Sequence, residues 1–356
     1  MKFTGFLLLP FSLLYGLVGW IRNVLFNLHV LPQVSYELPV ISVGNLSAGG
    51  TGKTPHVEYL IRLLRKGFPH LSTLSRGYGR STRGFLLANT SHTSGSIGDE
   101  PRQFMMKFPG IRVAVSECRR KGIQELLDFT PPADLVILDD AFQHRYVKPG
   151  LSILLTDYFH PYYKDYVLPS GSLREFRSGA KRADVIIVTK CPPVLSPITR
   201  ENIIQCIHPA PHQKVFFSYI QYGDLVPVYP GAPEIPDGHK FYSILLFAGI
   251  ANTYPLEEHL KRSCIDLEIE RFSDHYRYSD HDLRKLSQRF TNIVGKNKAI
   301  VTTEKDVMRL EAPEFEDILK GLPFYYQPIE VDFFKEDKEC FDKYILDYAG
   351  KNKGKR

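Results

Sequence analysis

Cysteine is scarce in this chain and poorly spaced for bonding. The five among 356 residues (Cys118, Cys191, Cys206, Cys264 and Cys340) are odd in number, scattered and without CxxC spacing. That argues against a disulfide or zinc framework and suits a reducing compartment. A strong charge of one sign is lacking too. Lys and Arg number 45 against 39 Asp and Glu, a net +6. This is too little to imply a nucleic-acid partner, though it suits anionic lipid or a phosphorylated substrate. There is no short-period repeat and no low-complexity tract. The length allows one large or two ordinary domains.

Long uncharged runs are missing except at the start. Residues 5–21 (GFLLLPFSLLYGLVGWI) carry no charge and lie between Lys2 and Arg22. The run sits at the bottom of the about 17–25 residues that a spanning helix needs. Pro10 and three glycines weaken a straight span, while Tyr15 and Trp20 stand where interfacial aromatics would. No A-x-A-like cleavage site follows, which counts against a signal peptide. A buried core helix is the plain structural alternative. The expectation is a membrane-associated N-terminal segment.

The stretch that organises the rest is residues 40–54, VISVGNLSAGGTGKT. A β-branched run, a glycine-rich turn and Gly52-Lys53-Thr54 give the strand–loop–helix order of a phosphate-binding P-loop. Ser47, Ala48, Gly49, Gly50, Thr51, Gly52, Lys53 and Thr54 form the expected nucleotide cradle. Its glycines let backbone N–H groups face an anion, and the next helix adds the positive end of its dipole. Lys53 would reach the β- and γ-phosphates and Thr54 would ligate Mg²⁺. The strict pattern wants glycine at position 47, where this chain has serine. The Gly49-Gly50 pair is the expected source of compensating flexibility.

The next segments leave alternatives open. Residues 56–66 (HVEYLIRLLRK) predict an amphipathic helix. Residues 74–80 (LSRGYGR) read as a strand end followed by a basic glycine turn, functional or simply a solvated loop with equal weight. In 97–101 (IGDEP), Asp99 and Glu100 either favour a helix N-terminus or face the phosphates as base and metal ligand. Residues 112–115 predict a strand and 116–129 a helix. The run 134–140 (DLVILDD) predicts a buried strand delivering Asp139 and Asp140 to the sheet edge beside the P-loop, as a Walker B strand does, although tandem aspartates also cap turns. Further strands are expected at 151–156, 184–190, 214–220, 242–250, 298–303 and 324–331, with a polar turn at 168–175 (LPSGSLRE). In 272–282, two Asp-His pairs match no strong metal template. A surface loop and a catalytic or phosphate-contacting His275 remain.

This alternation predicts an α/β fold: a P-loop NTPase-like core with a mostly parallel sheet and a second, smaller α/β lobe. The expected division is an N-terminal membrane segment at 1–35, a P-loop domain at 36–210, the second lobe at 211–346 and a basic tail at 347–356.

Taken in order, GNLSAGGTGKTP, SRGYGR, GDEP, LDDAFQH, LPSGSLRE, FSDHY and TTEKD resemble the tetraacyldisaccharide 4′-kinases, the lipid A kinases of Gram-negative envelope synthesis. The resemblance runs from the apolar N-terminus to about Asp306. It implies transfer of the ATP γ-phosphate to the 4′-hydroxyl of an acylated glucosamine disaccharide 1-phosphate, giving lipid IVA. The implied setting is the cytosolic face of the inner membrane, with inner-membrane lipids as partners, and the implied fold is two α/β lobes joined by a β-stranded linker. Carried over by residue, it implies Lys53 and Thr54 as phosphate and Mg²⁺ ligands. Asp99 becomes the general base, paired with His275 from the other lobe. Glu100, Asp139 and Asp140 surround the metal, and Tyr78, Arg119, Arg174 and Glu175 line the substrate cleft. A monomer is expected. Ala141 stands where the family usually has glycine, and Ser172 interrupts a proline-rich turn. The competing class is a membrane-associated P-loop ATPase or switch without lipid kinase activity.

Overall fold

A computed structural model describes residues 8–353 apart from 234, 236, 237, 239 and 312. The first residues of the expected membrane segment and the last three of the basic tail lie outside that range. Among the described residues the strands are β1 (Val40–Asn45), β2 (Leu71–Ser75), β3 (Leu86–Leu87), β4 (Arg112–Val115), β5 (Leu135–Asp139), β6 (Leu151–Asp157), β7 (Val185–Thr189), β8 (Lys214–Tyr222), β9 (Val226–Pro227), β10 (Phe241–Ala248), β11 (Cys264–Arg271), β12 (Lys298–Thr303), β13 (Phe324–Gln327) and β14 (Ile329–Phe333). They form a nine-stranded sheet in the order β14-β8-β7-β6-β1-β5-β2-β4-β3 and a five-stranded sheet in the order β11-β10-β12-β13-β9. All pairings from β8 to β4 in the first sheet are parallel, as are those from β11 to β13 in the second.

The central strands read as near-continuous apolar runs because both faces of the sheet are covered. Ile41, Val43, Leu135, Ile137, Ile153 and Ile187 point to one core, shared with the helix Lys53–Leu64 and with Phe341 and Ile345 of the helix Lys335–Lys353. Val40, Val136 and Leu138 point to the opposite face. The C-terminal ends of β1, β2, β5 and β7 all open on one edge, where ligands gather in such sheets.

Two expectations meet a different arrangement. The single strand expected at 324–331 is two strands in two sheets, because Pro328 has no N–H to continue a ladder. Gly223 donates its N–H to the Pro328 carbonyl at 3.1 Å, and Gln327 Nε2 donates to the Gly223 carbonyl at 2.6 Å. The chain therefore crosses between sheets at 223–225 and returns at 328, through antiparallel β8/β14 and β9/β13 pairs. As a result β8, β14 and the helix Lys335–Lys353 belong with the first sheet. This departs from the expected division at 211 and 346, and the basic tail from 347 to 353 is the end of that helix.

The apolar N-terminus is one helix, Leu9–Asn27, with Pro10 in its first turn, where its missing N–H is harmless. A narrow stripe docks it to the first lobe. Ser12 Oγ donates to Ser170 Oγ at 2.8 Å, and Asn23 Nδ2 donates to Glu175 Oε2 at 2.7 Å. Gly16 accepts the Phe176 ring so closely that a Cβ there would lie 2.5 Å from it. Phe26 is buried against Tyr146, with ring centroids 5.0 Å apart. The opposite face leaves Phe11, Leu13, Leu14 and Val18 more than 60% exposed, which a buried core helix would not do. It is long and apolar enough to cross a membrane by length and composition.

Candidate active site

One cavity of about 1090 Å³ lies at the sheet edge. It is lined by the P-loop, by β5's acidic end, by the loop that carries His275 and by Tyr15, Val18 and Arg22 of the N-terminal helix.

The P-loop is built as the residues require. Gly49 and Gly52 take positive φ (133° and 87°), and Gly52 caps the helix Lys53–Leu64, whose first turn carries no acidic residue. That leaves the helix N-terminus open to an anion. Ser47 does not adopt positive φ; it bridges Leu173 in antiparallel fashion. Glycine is thus not needed at position 47. Asn45 Nδ2 donates to Thr51 Oγ1 at 2.9 Å, and Lys53 Nζ to Asn45 Oδ1 at 3.4 Å. The 168–175 turn clasps the loop from outside, with Ala48 N–H donating to the Ser172 carbonyl at 2.6 Å. Ser172 also donates its hydroxyl to Asp165, so this departure from the family pattern secures the turn.

Asp139 and Asp140 follow from β5. Asp140 has φ of 48°, a strained setting for a non-glycine residue that recurs at functional sites. It pairs with Lys53 at 3.5 Å and Arg174 at 3.1 Å. Burial would raise its pKa, but Lys53 and Arg174 outweigh burial and hold the carboxyl below its usual value. Asp139 is pushed up to about 7 by burial, reinforced by the charges of Asp140 and Glu100. Its Oδ1 is buried without a hydrogen-bond partner. A carboxylate oxygen so placed fits a divalent cation. Among the described residues no group of three or more His, Cys, Asp or Glu side chains is arranged to hold an ion alone, as befits a site completed by phosphate oxygens and water. Ala141 lies outside the positive-φ region, so alanine costs the turn nothing.

Asp99 opens the helix Asp99–Lys107 in the first lobe, and His275 comes from the second. His275 Nδ1 lies 3.0 Å from Asp99 Oδ2, and His275 has φ of 58°. Arg309, which the sequence reading missed, donates to the same oxygen from Nε at 2.9 Å and holds the Gly249 carbonyl and Asp306 through Nη1. Burial raises Asp99, but the His275 hydrogen bond and Arg309 overcome it and hold the carboxyl at about 2. His275 and Glu100 line the cavity, whereas Asp99 does not. Lys305 Nζ lies 3.3 Å from His275 Nε2. An ammonium only donates, so Nε2 carries the lone pair and Nδ1–H points to Asp99.

The cleft residues divide. Tyr78, 70% exposed, lines the cavity with its ring centroid 5.4 Å from that of His275. Arg174 lines it through Asp140. Glu175 reaches it but is saturated by Arg182, Asn23 and Gln143, which makes it the tie between the N-terminal helix and the P-loop lobe. Arg119 does not reach it. It is buried behind β5, donating to the carbonyls of Ser116 at 2.7 Å and Asp139 at 3.2 Å, and burial lowers it to about 10. The cavity also presents Arg76, His144 and Lys190, none of them expected. Burial and then the charges of Arg119 and Arg76 push His144 down to about 4, so it stays neutral.

The chain is similar to known proteins over nearly its whole length. A family model for tetraacyldisaccharide-1-P 4′-kinase matches residues 4–349. The tetraacyldisaccharide 4′-kinase of Bacteroides thetaiotaomicron is 45% identical, over 97% of this chain and 93% of that one. That of Flavobacterium johnsoniae is 44% identical, over 97% of each. The crystal structure of LpxK from Aquifex aeolicus in complex with ATP matches with a TM-score of 0.72 at 28% identity, covering 97% of this chain and 99% of that one. The protein described here belongs to the tetraacyldisaccharide-1-P 4′-kinase family.

Proposed function

We propose that the protein transfers the γ-phosphate of ATP to the 4′-hydroxyl of a tetraacylated glucosamine disaccharide 1-phosphate, giving lipid IVA at the cytosolic face of the inner membrane. The observation that carries this is the continuity of one cavity from Tyr15 and Val18 of the apolar helix to the P-loop and His275. An acyl-bearing sugar needs such a path from a lipid surface to a phosphate cradle. The exposed apolar face of Leu9–Asn27 supports membrane association, since it would otherwise stand in water.

Each group has a part in the mechanism. The loop amides of Gly49, Gly50 and Gly52, the helix N-terminus at Lys53 and Thr54, and the Lys53 ammonium hold the β- and γ-phosphates, and Arg174 holds Asp140 in place. Thr54, Glu100, Asp139 and Asp140 are the residues that would hold Mg²⁺, which supplies charge neutralisation at the phosphate oxygens. The attacking 4′-hydroxyl gives its proton to the hydrogen-bonded Asp99–His275 pair. The lone pair offered to the cavity is on His275 Nε2, and the charge that fixes the imidazole is on Asp99. His275 and Arg309 both hold Asp99 Oδ2, so for Asp99 to act alone as base, as the resemblance implies, its other oxygen must take the proton. The Tyr78 ring lies tilted beside His275 and is assigned to the sugar. Because the pair spans two lobes, any parting of the lobes would separate it, so ATP held in an open cleft would face no assembled base.

The test uses γ-labelled ATP, vesicles carrying the disaccharide 1-phosphate, and lipid extraction. Label in the extracted lipid is the expected result. Free labelled phosphate without labelled lipid would instead make the protein an ATPase.

A further inference from the structure

The TTEKD segment contributes a cation that none of the roles above uses. Lys305 follows the C-terminal end of β12, and its neighbours on either side are locked in place. Glu304 is held by Lys107 at 2.8 Å. Asp306 is fully buried and accepts from Gly249 N–H at 3.1 Å, Tyr278 OH at 3.0 Å and Thr303 Oγ1 at 2.6 Å. Between these anchors Lys305 lines the cavity, with Nζ 3.0 Å from Glu100 Oε1 and 3.3 Å from His275 Nε2.

Both partners are groups the reaction needs for itself. His275 Nε2 is where the acceptor hydroxyl must donate, and Glu100 faces the phosphates. When these are occupied, the ammonium loses both contacts while its backbone stays fixed, and it is left facing the cavity between His275 and the P-loop. Three other cations near this end are committed elsewhere, while Arg76 lines the cavity from the first lobe. Lys190 is held by Asp157 and the Gly50 carbonyl, Arg174 by Asp140, and Arg309 by Asp99 and Asp306. Lys53 serves the donor side from the first lobe.

We propose that Lys305 is a catalytic residue: the second lobe's ammonium, donating hydrogen bonds to the oxygens of the γ-phosphoryl group as it passes from ATP to the sugar. The inference rests on the kinase reading above. In the step, the 4′-oxygen bonds to phosphorus, the bond from phosphorus to the bridging oxygen breaks, and that oxygen keeps the electron pair on ADP. The hydroxyl proton goes to the Asp99–His275 pair, and Lys305 keeps its own protons throughout. A loose transition state spreads charge over the equatorial oxygens, where a preorganised cation in a water-poor site is most effective.

The experiment compares wild type, Lys305→Met, Lys305→Gln and Lys305→Arg in the label-transfer assay, with a fluorescent ATP analogue for nucleotide affinity and thermal melts for folding. Removing one such donor should lower kcat by about 10²–10³-fold. Nucleotide affinity should stay within about threefold, and Lys305→Arg should recover at least about tenfold of the loss, as expected for an interaction made in the transition state. Either neutral variant, folded and with kcat near wild type, overturns the assignment. So does a loss confined to KM. Wild type that labels no lipid would defeat the kinase reading itself, whereas a labelling wild type with an undiminished Lys305→Met defeats only this inference.

Discussion

The two walls of the cavity are made differently. The P-loop wall is mostly backbone: amides of a glycine turn, a helix N-terminus and one lysine, all within residues 47–54 on a strand whose burial fixes its position. The opposite wall is side chain: His275 and Lys305, with Arg309 buried behind them, brought to Asp99 and Glu100 only because the second lobe docks along the helix Asp99–Lys107. Lys107 pairs with Glu304 at 2.8 Å and Arg102 with Glu311 along the same seam. A local backbone device tolerates substitution outside its amides. A charge seam between lobes does not, because each member loses a partner in the other lobe.

The largest effect should come from the seam's reacting member. Asp99→Ala should lower turnover by about 10²–10⁴-fold while leaving nucleotide affinity largely intact. Steady-state transfer combined with nucleotide titration checks this, and a lost nucleotide affinity would show that the two walls are not separable.

Arg309→Met should follow. It leaves Asp306 and Asp99 without their shared guanidinium, at a cost of about 3 kcal/mol for breaking a buried pair. Asp99 is held at about 2, below its unfolded value, so its contribution to stability is fully present above about pH 4 and is lost as pH falls through about 2. The variant should therefore melt earlier and lose stability at a higher pH on acidification. Thermal melts across pH 2–6 read both.

Asp139 provides the corresponding test on the P-loop side. Its folded value of about 7 lies above the unfolded one, so without metal, stability should fall as pH rises from about 4 to about 7 and level off above that. Mg²⁺ has to displace that proton, so its affinity should weaken about tenfold per pH unit below 7, as calorimetry would measure. A pH-independent Mg²⁺ affinity would remove Asp139 from the metal site.

On the exposed apolar face of the N-terminal helix, Leu14→Glu with Leu17→Glu alters positions that do not line the cavity. Vesicle binding should drop about tenfold or more while activity on detergent-dispersed substrate persists. Smallest of all, Ala141→Gly should cost no more than about 1 kcal/mol and leave turnover alone, since the backbone there uses no positive φ.

The contrast between the walls also explains what could be read from the sequence. The P-loop and the strand ending in Asp139 were legible because glycine placement and apolar runs encode local geometry. The resemblance added the pairing of Asp99 with His275, which no spacing rule gives across 176 positions of chain. Arg309 was missed because it sits in a turn without periodicity. The one local hint was its i, i+3 spacing from Asp306. Arg119 misled for the opposite reason. Charge on a helix reads as solvent- or cleft-facing, yet here the guanidinium is buried to satisfy carbonyls at the end of β5. The strand expected at 324–331 failed at Pro328, where a sheet change looks like continuity in a string of β-formers.

The central claim is that both walls act on one phosphoryl group in one transition state. A cycle of Lys53→Met, Asp99→Ala and the double variant, read as kcat for label transfer to lipid, tests it most directly. Residues that act as a unit are strongly non-additive, so the double variant should fall within about threefold of the weaker single variant. Losses that multiply in full would mean that the P-loop and the Asp99–His275 pair serve separate events, and would contradict this account.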